Sequence, residues 1–250
     1  MTHIRAERDG PVGTITIDNQ SRRNAMTLDM YASIPAAVNE LTFTPGLRCV
    51  VLRGSGSEAF CAGSNVAEFG ENRTGPAASR YAHVEHDAFA AIAAMSVPTI
   101  AAIHGPCMGG GVALAASCDL RLAADDASFS VPPAKLGVGY AVDGVETLIR
   151  LIGLPATKML ILTATVIDAA EALRIDLVNQ VHPKAALDDA IDDLTTRISR
   201  LAPLTLTAAK LAADGREGAA EAVKACFRSD DYHEGIAAFG EKRHPLFQGR

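Results

Sequence analysis

Short apolar runs, each bounded by turn-forming residues, recur along the first two thirds of the chain. Residues 99–103, TIAAI, lie between Pro98 and Gly105, and such a run is typical of a strand buried on both faces. Comparable runs predict further strands at residues 12–17, 49–53, 119–123, 127–131 and 178–181. Because helical patterns separate most of these runs, the chain is expected to be an α/β protein.

The helical spacing of apolar residues is clear after Thr27. Met30, Ile34, Ala37 and Val38 occupy positions i, i+4, i+7 and i+8, which predicts an amphipathic helix with Thr27 as its N-cap. The same reasoning predicts helices at residues 81–95, 143–152, 155–162, 168–173, 185–201, 204–213 and 217–239. The last part of the chain is therefore expected to be helical.

Polar residues near two of these helices have structural explanations. His83, Glu85 and His86 fall away from the apolar stripe of helix 81–95, so we expect them to face solvent. A helix that borders a pocket could still turn one of them inward. Asp143 and Glu146 resemble a capping arrangement at the start of helix 143–152, and we prefer this role to a catalytic one.

The composition fits one compact domain with a helical appendage, since 48% of the 250 residues are hydrophobic. A formal net charge of -6, without a Lys/Arg run, argues against nucleic acid as a partner. The first residues are charged, and no apolar run reaches the roughly 18 residues of a membrane span. We therefore expect neither a signal peptide nor a membrane association, and a cytoplasmic location.

Several kinds of chemistry are not indicated. The five cysteines form no C-x-x-C pair, which favours reduced and mostly buried thiols. His83 and His86 are close in sequence but lack a third ligand nearby, so no metal is expected. The absence of G-x-S-x-G argues against a serine nucleophile on a strand-to-helix elbow.

Three glycines occupy the junction between strand 99–103 and an apolar helical segment that begins at Val112. At Gly109, Gly110 and Gly111 the first N–H groups of a helix have no partner within the helix, and no Cβ keeps a ligand away. The spacing excludes a P-loop, which needs Lys and Ser or Thr, and no G-x-G-x-x-G is present. Two interpretations stay open, a tight turn packed on a sheet and an anion site without lysine.

A second loop has the same form. Residues 60–65, FCAGSN, follow strand 49–53 and precede a possible short helix. Two loops that each offer a free N–H can stabilise an oxyanion, because the two donors converge where negative charge develops.

Together the two loops resemble a known family. F-C-A-G-S-N at 60–65 and H-G-x-x-x-G-G-G at 104–111 are similar to the motifs of the enoyl-CoA hydratase/isomerase (crotonase) superfamily, with similarity from about residue 12 to 247. The resemblance implies an α/β fold, the crotonase (ClpP-like) spiral of β-β-α repeats with a C-terminal helical region. It also implies a core domain at 1–195 that binds acyl-CoA and a helical oligomerisation region at 196–250, in a homotrimer or hexamer.

The resemblance also implies site residues. In the superfamily, two backbone amides stabilise the enolate-like oxyanion of an acyl-CoA thioester, and the motifs assign these amides to Ser64 and Gly110. No cofactor is implied, because coenzyme A enters as part of the substrate. The expected contacts to coenzyme A are Arg22, Arg23, Ala25, Ala62, Gly63 and Gly109, although the two arginines are equally well explained as solvated. Asn65 replaces the usual aspartate and is expected to cap the following turn.

The sequence departs from the superfamily at both hydration residues. A pair of glutamates activates water and delivers a proton in the hydratases, and Ala113 and Pro133 occupy the matching positions. Neither side chain can transfer a proton, and such groups contribute roughly 10²- to 10⁴-fold each. Membership of the superfamily is therefore better supported than hydratase activity.

Other functions remain open. Tyr140, in L-G-V-G-Y, resembles the active-site tyrosine of methylmalonyl-CoA decarboxylase-like members. Those members, however, have His at the Ser64 position and keep a glutamate at the Ala113 position, and a role as an ordinary pocket-wall residue is preferred for Tyr140. Decarboxylation or thioester hydrolysis competes with hydration, since loss of CO₂ generates an enolate without a base. A non-catalytic acyl-CoA-binding or assembly subunit is the alternative of a different class.

Overall fold

The computed structural model describes residues 3–250 as a mixed α/β protein. Its strands are β1 (His3–Asp9), β2 (Val12–Asp18), β3 (Cys49–Gly54), β4 (Thr99–Ile103), β5 (Pro106–Met108), β6 (Leu120–Ala124), β7 (Ser128–Ser130), β8 (Ile167–Asp168) and β9 (Gln180–His182). Its α-helices are α1 (Leu28–Thr42), α2 (Phe69–Asn72), α3 (Gly75–Ala93), α4 (Gly110–Ala116), α5 (Val142–Thr163), α6 (Ala169–Arg174), α7 (Leu187–Ser199), α8 (Pro203–Ala213), α9 (Ala219–Cys226) and α10 (Asp230–Glu241). Short 3-10 helices span Gln20–Arg22, Val66–Glu68, Pro133–Leu136 and Lys184–Ala186.

Two sheets organise the chain. The larger sheet has the strand order β1-β2-β3-β4-β6-β9, in which β1 is antiparallel to β2 and the other neighbours are parallel. The smaller sheet has the order β5-β7-β8. Twice in succession a strand of the larger sheet is followed by a strand of the smaller sheet and then by a helix, as in β4-β5-α4 and β6-β7-α5.

Both faces of the larger sheet are covered. In β3, Val50 and Leu52 face a cluster that contains residues of α1, α3 and α4, whereas Cys49 and Val51 face a second cluster with Leu187 and other residues of α7. A parallel strand buried on both faces needs apolar residues at successive positions, which explains the unbroken apolar runs.

The N-terminal strand was not predicted. Residues 3–7 alternate polar and apolar side chains, and residues 3–9 pair antiparallel with β2 from His3 opposite Asp18 to Asp9 opposite Val12. Charged residues are typical of an edge strand, because one row of its backbone groups faces solvent and charge discourages further pairing.

Two helix predictions were wrong in their bounds. Helix α3 begins at Gly75 rather than at residue 81, with Pro76 in its first turn, where the missing N–H of proline costs nothing. The helix predicted over 217–239 is two helices, because the Ser229 side chain accepts a hydrogen bond from the Tyr232 N–H and starts α10 afresh.

The predicted capping role of Asp143 was also wrong. The N-cap of α5 is Ala141, without a side-chain cap, so Asp143 lies within the first turn. There its negative charge is favourable near the positive end of the helix dipole. Its Oδ2 lies 2.6 Å from His86 Nδ1.

The two helices predicted over 143–152 and 155–162 adjoin in α5 across Gly153, whose φ of 72° is not helical.

The C-terminal helices pack on the core through a nearly buried ion pair. Lys210 Nζ, on α8, lies 2.8 Å from Asp119 Oδ2 and donates to the Val97 carbonyl at 3.2 Å. The same Asp119 oxygen accepts from the Thr99 N–H at the start of β4. The Lys210 side chain is only 8% exposed.

Within residues 3–250, no helix combines the length and apolar character needed to cross a membrane.

Replacing Lys210 by Met should therefore destabilise the protein, because Asp119 would keep its charge and lose its partner. We expect the free energy of unfolding to fall by about 3 kcal/mol, near the lower end for a broken buried ion pair, since Asp119 is partly exposed. Urea denaturation measures the change.

Lys224→Met is the matched control. Lys224 and Glu221 form an exposed pair at 2.8 Å on α9, so its loss should change stability by less than about 1 kcal/mol. Equal effects of the two substitutions would show that Lys210 does not anchor α8.

Candidate active site

Two loops leave the same edge of the larger sheet and meet. β3 and β4 are adjacent and parallel, so residues 55–65 and 104–109 emerge side by side from their carboxyl ends. Backbone hydrogen bonds join the loops, from Met108 N–H to the Cys61 carbonyl at 2.9 Å and from Cys61 N–H to the Pro106 carbonyl at 3.1 Å. The resulting contact fixes the Gly63–Ser64 turn against the start of α4.

The three glycines each have a structural reason. Gly109 has a φ of 50°, which an L side chain rarely adopts. A Cβ on Gly110 would lie 2.1 Å from the Tyr31 hydroxyl, and a Cβ on Gly111 would lie 2.5 Å from the Cys61 carbonyl oxygen. The three glycines therefore form a tightly packed turn, as the first interpretation predicts. The same backbone is also compatible with the second interpretation, a binding site.

The amides of Ser64 and Gly110 belong to neighbouring segments. A Cβ on Gly110 would be 3.2 Å from Ser64 Oγ, and a Cβ on Gly63 would be 3.9 Å from Gly110 N. Among the hydrogen bonds of residues 3–250, neither amide donates to a carbonyl or side-chain oxygen. Both residues are partly exposed. The sequence-predicted pair is therefore brought together with its N–H groups unused.

The N-terminal segment expected to contact coenzyme A lies beside this turn. Arg23 has a left-handed φ of 50° and accepts a hydrogen bond from the Ala62 N–H through its carbonyl. The Met26 N–H donates to the Gly63 carbonyl at 2.8 Å. Ala25 is buried, whereas the Arg22 and Arg23 side chains are exposed. Backbone hydrogen bonds thus join Arg23 to Ala62 and Met26 to Gly63, whereas the Gly109 N–H donates to the Ser130 carbonyl.

Asn65 does not cap the following turn as predicted. It is the N-cap residue of the 3-10 helix Val66–Glu68 but makes no side-chain cap hydrogen bond. Its Nδ2 instead donates to Glu68 Oε1 at 2.8 Å, and Glu68 Oε2 accepts from the Leu28 N–H. The amide of Asn65 thereby ties the turn to the start of α1.

A chain of polar side chains passes through Ser64. Its hydroxyl donates to Glu85 Oε1 at 2.9 Å, and it lies 3.1 Å from the Tyr31 hydroxyl. Because the single Ser64 proton goes to Glu85, Tyr31 is the donor to Ser64. Arg73 Nη2 lies 3.1 Å from Glu85 Oε2 and completes the chain.

The prediction that Glu85 faces solvent was wrong, since this residue is 9% exposed. The buried stripe of α3 consists of Tyr81, Glu85, Ala88 and Ile92, at positions i, i+4, i+7 and i+11. That spacing was present in the sequence, but the charge of Glu85 removed it from an apolar pattern. His83 and His86 are exposed, as predicted.

Aromatic rings surround the buried carboxylate. The Tyr31 ring meets those of Tyr81 and Phe89 edge to face, with centroids 6.4 and 5.8 Å apart. The Arg73 guanidinium lies over the rings of Phe69 and Tyr81, at 4.9 and 4.7 Å. Such stacking holds a cation in place while it pairs with Glu85.

Burial changes the ionisation of these groups. It raises the pKa of Glu85 above its ordinary value, while Arg73 and the Ser64 hydrogen bond act in the opposite direction. Burial also raises the pKa of Tyr81 to about 12 and that of Cys61 to about 12. Cys61 is therefore a neutral thiol rather than a nucleophile.

Tyr140 lies beside the start of α5. Its hydroxyl is buried without a hydrogen-bond partner, and its ring packs against Gly144 at the start of α5. Burial raises its pKa, and the negative charges of Glu85 and Asp143 raise it further. The Tyr140 hydroxyl is thus a neutral donor within electrostatic reach of Glu85.

The two positions matched to hydratase glutamates hold no titratable group. Ala113 lies in α4, and Pro133 begins the 3-10 helix that precedes Tyr140.

The five cysteines are free thiols, four of them buried, as predicted. Among residues 3–250, no three His, Cys, Asp or Glu side chains are grouped as ligands of a metal ion.

Comparison with known proteins shows the family of the chain. Residues 7–250 match the model of the enoyl-CoA hydratase/isomerase family. The chain is 34% identical to crotonyl-CoA hydratase of Syntrophomonas wolfei subsp. wolfei, over 98% of this chain and 97% of that protein. It is 30% identical to the mitochondrial Delta(3,5)-Delta(2,4)-dienoyl-CoA isomerase of Dictyostelium discoideum, over 98% and 91%.

Among solved structures, an enoyl-CoA hydratase/carnithine racemase from Magnetospirillum magneticum superposes with a TM-score of 0.96 at 32% identity, covering 100% of this chain and 97% of that one. The expected crotonase fold is therefore confirmed. With a family match over nearly its whole length, the chain belongs to the enoyl-CoA hydratase/isomerase family of the crotonase superfamily.

Proposed function

We propose that this protein is an enzyme that stabilises the enolate-like oxyanion of an acyl-CoA thioester between the amides of Ser64 and Gly110. The observation that supports this proposal is the pair of unused N–H groups on two segments held together by backbone hydrogen bonds. Each such donor typically contributes about 10²- to 10³-fold in rate, because it is fixed before charge develops.

Coenzyme A would lie along the segment that precedes α1. Arg22 and Arg23 are exposed beside the Gly63–Ser64 turn, where their charges can meet phosphate groups. The other proposed contacts to coenzyme A are made by backbone atoms, since these residues have no reactive side chains: Ala25, Ala62, Gly63 and Gly109. The proposed substrate is therefore an acyl-CoA thioester whose recognition depends on shape and on two peripheral cations.

Hydration is not the activity that the site favours. Ala113 and Pro133 supply neither a base for water nor an acid for the α-carbon, so crotonyl-CoA hydration should be slow. The relatives named hydratases therefore support the substrate class more strongly than the reaction.

Exposed apolar residues support the proposed association of copies into a trimer or hexamer. They lie on the second half of α5 and on the C-terminal helices: Leu154, Met159, Leu162, Phe227, Ile236 and Phe239. Apolar surface of this kind is typical of a contact between protein chains.

The first test removes the Gly110 N–H. A Cβ at this position would meet the Tyr31 hydroxyl, so the substitutions are made in a Tyr31→Phe background. Gly110→Pro lacks the N–H and should lose about 10²-fold or more in kcat for thioester turnover, measured over a panel of acyl-CoA esters. Proline is tolerated at the first position of a helix.

Gly110→Ala in the same background is the matched control, because it adds a Cβ and keeps the N–H. Its turnover should exceed that of the proline variant by at least about 30-fold, with similar thermal unfolding midpoints. Equal rates in the two variants would exclude the amide as an oxyanion donor.

The second test restores the missing glutamates. Ala113→Glu with Pro133→Glu should raise crotonyl-CoA hydration by at least about 10²-fold over the natural chain, because both proton-transfer groups return. Hydration is followed by the loss of the conjugated thioester absorbance. Rapid hydration by the natural chain would contradict our account of these two positions.

Measurements of binding and of turnover separate an enzyme from a non-catalytic acyl-CoA-binding subunit. The absence of both glutamates, at Ala113 and Pro133, is the observation that favours this alternative. Calorimetry measures the affinity for each ester, and mass spectrometry measures its conversion. Tight binding of several esters without conversion of any would establish the binding subunit and contradict the proposed enzyme.

A further inference from the structure

The Ser64 turn is bound to the segment before α1 by backbone atoms. The Met26 N–H donates to the Gly63 carbonyl at 2.8 Å, and the Asn65 N–H donates to the Met26 carbonyl at 2.7 Å. The Gly63 carbonyl and the Ser64 N–H belong to one trans peptide group, so this N–H points away from Met26. These bonds set the general direction of the Ser64 amide.

The same bonds leave some rotation of the turn unrestrained. Gly63 has a φ of 97°, and a glycine, which has no Cβ, resists backbone rotation less than other residues. A further restraint comes from the Ser64 side chain, whose hydroxyl donates to Glu85 Oε1 at 2.9 Å. The turn is thus attached to the segment before α1 through its backbone and to α3 through one hydroxyl.

Glu85 is a firm attachment point because both of its carboxylate oxygens are engaged. Arg73 Nη2 lies 3.1 Å from Oε2, and this arginine is itself stacked on Phe69 and Tyr81. Glu85 is buried, so water competes little for these bonds. Hydrogen bonds to an ionised partner are roughly twice as strong as neutral ones. The Ser64 hydroxyl is therefore held by a fixed and charged acceptor.

One carboxylate also closes the segment that leaves the turn. Ser64 lies at the beginning of residues 64–73 and Arg73 at their end, and both contact Glu85. The Tyr31 hydroxyl donates to Ser64 at 3.1 Å, so the Ser64 proton stays directed at the carboxylate. Loss of the Glu85 carboxylate would therefore release the turn and the segment together.

On the basis of the function proposed above, we infer that Glu85 is a positioning residue of the oxyanion hole, which acts through the Ser64 hydroxyl to hold the Ser64 amide in its place near Gly110. In this role Glu85 touches no substrate atom and transfers no proton. An amide donor raises the rate only when it is fixed before charge develops, and a displacement of about 1 Å can cost about 10²-fold. The Ser64 side chain therefore contributes to the oxyanion hole together with the Ser64 N–H.

The test uses acetoacetyl-CoA, a thioester that ionises to an enolate. The enolate places negative charge on the thioester oxygen and absorbs ultraviolet light at a longer wavelength than the keto form. The ratio of enolate to keto form in the bound ester therefore reports the oxyanion hole, whatever reaction the enzyme performs. Calorimetry establishes that each full-length variant binds the ester. We expect the natural chain to raise this ratio above that of the free ester.

Ser64→Ala should lower the enolate ratio about 10-fold, because the amide keeps its N–H but loses its attachment to α3, and with it part of the roughly 10²- to 10³-fold that a fixed donor supplies. Glu85→Met, which removes the acceptor, should lower the ratio by a similar factor. The double variant should stay within about 3-fold of either single variant, because both substitutions break the same bond. Ser64→Thr keeps a hydroxyl and should restore part of the ratio.

Ser117→Ala is the matched control. The Ser117 hydroxyl donates to the Ala113 carbonyl at 2.8 Å at the end of α4, so this variant loses a serine hydroxyl that does not contact the Ser64 turn. Its enolate ratio should equal that of the natural chain. Thermal unfolding midpoints show whether each variant is folded. Ser64→Ala leaves Glu85 paired with Arg73, so the test does not depend on the folding of Glu85→Met.

The outcomes separate this inference from the proposed function. An enolate ratio that Ser64→Ala leaves within about 2-fold of the natural chain would overturn the positioning role and leave the oxyanion hole intact. Losses that multiply in the double variant would show that Glu85 acts on the ester directly, which would also overturn it. A natural chain that binds no ester, or that binds it without raising the enolate ratio, would overturn the proposed function itself.

The pH dependence tests whether the charge of Glu85 holds the turn. The charged and titratable groups that face Glu85 are Arg73, Asp143, Tyr31, Tyr81 and Tyr140. Burial raises the pKa of Glu85, and a protonated Glu85 accepts the Ser64 proton more weakly because the hydrogen bond loses its charge. The enolate ratio of the natural chain, divided by that of Ser64→Ala, should therefore decline as the pH falls through this pKa.

Arg73→Met should move this decline to higher pH. Arg73 lowers the pKa of Glu85, so its removal raises that pKa, and the charged acceptor is lost earlier as the pH falls. The measurement is the same pair of enolate ratios in the Arg73→Met background. A quotient that stays constant in the natural chain down to the pH of acid unfolding would overturn the assignment of the Glu85 carboxylate as the attachment point.

Discussion

Parallel pairing of β3 with β4 is the constraint on which the site depends. Neighbouring parallel strands deliver their following loops to one edge of the sheet, and here the register sets Val50 opposite Thr99 and Arg53 opposite Ala102. The loops are then joined through Cys61, Pro106 and Met108. Because these joining contacts are made by backbone atoms, the positions of the Ser64 and Gly110 amides follow from the fold.

Close packing explains why this edge is built from residues without reactive side chains. The helix that begins at Gly110 approaches the Cys61 loop so tightly that a Cβ at Gly111 would overlap a carbonyl oxygen, and the Tyr31 hydroxyl fills the space in front of Gly110. A backbone oxyanion hole needs only N–H groups, so it tolerates the replacement of nearby catalytic side chains. The same backbone arrangement can therefore persist with Ala113 and Pro133 in place of titratable side chains.

Glu85 is a charged side chain buried beside this edge, and two neighbouring groups stabilise it. A carboxylate on a buried helical face is unfavourable alone, and desolvation raises its pKa. Arg73 and the Ser64 hydroxyl offset that cost by supplying opposite charge and a donor, and the stacking on Phe69 and Tyr81 fixes the arginine. The consequence is a buried carboxylate held beside the Ser64 turn by one opposite charge and one hydrogen-bond donor.

The sequence by itself determined much of this protein. Apolar runs and helical stripes correctly predicted β2, β3, β4, β6 and α1. The prediction succeeded because the apolar residues that form these patterns are the ones that the fold buries. The two loop motifs correctly predicted the superfamily, whose chemistry requires a particular backbone at those positions. Ser64 and Gly110 were paired from their motifs, and their proximity follows once the strands are known to be adjacent.

Only the tertiary structure decided which side chains meet beside Ser64. The spacing of Tyr81, Glu85, Ala88 and Ile92 is that of one helical face, but a charged residue is assigned to such a face only when its partners are known. The direction of Glu85 depends on Arg73, Tyr31 and Ser64, which come from three other segments and meet α3 only after the chain has folded. The break before Ser229 and the shift of the α5 cap to Ala141 were likewise decided by hydrogen bonds and packing, because periodicity does not record where a helix must stop.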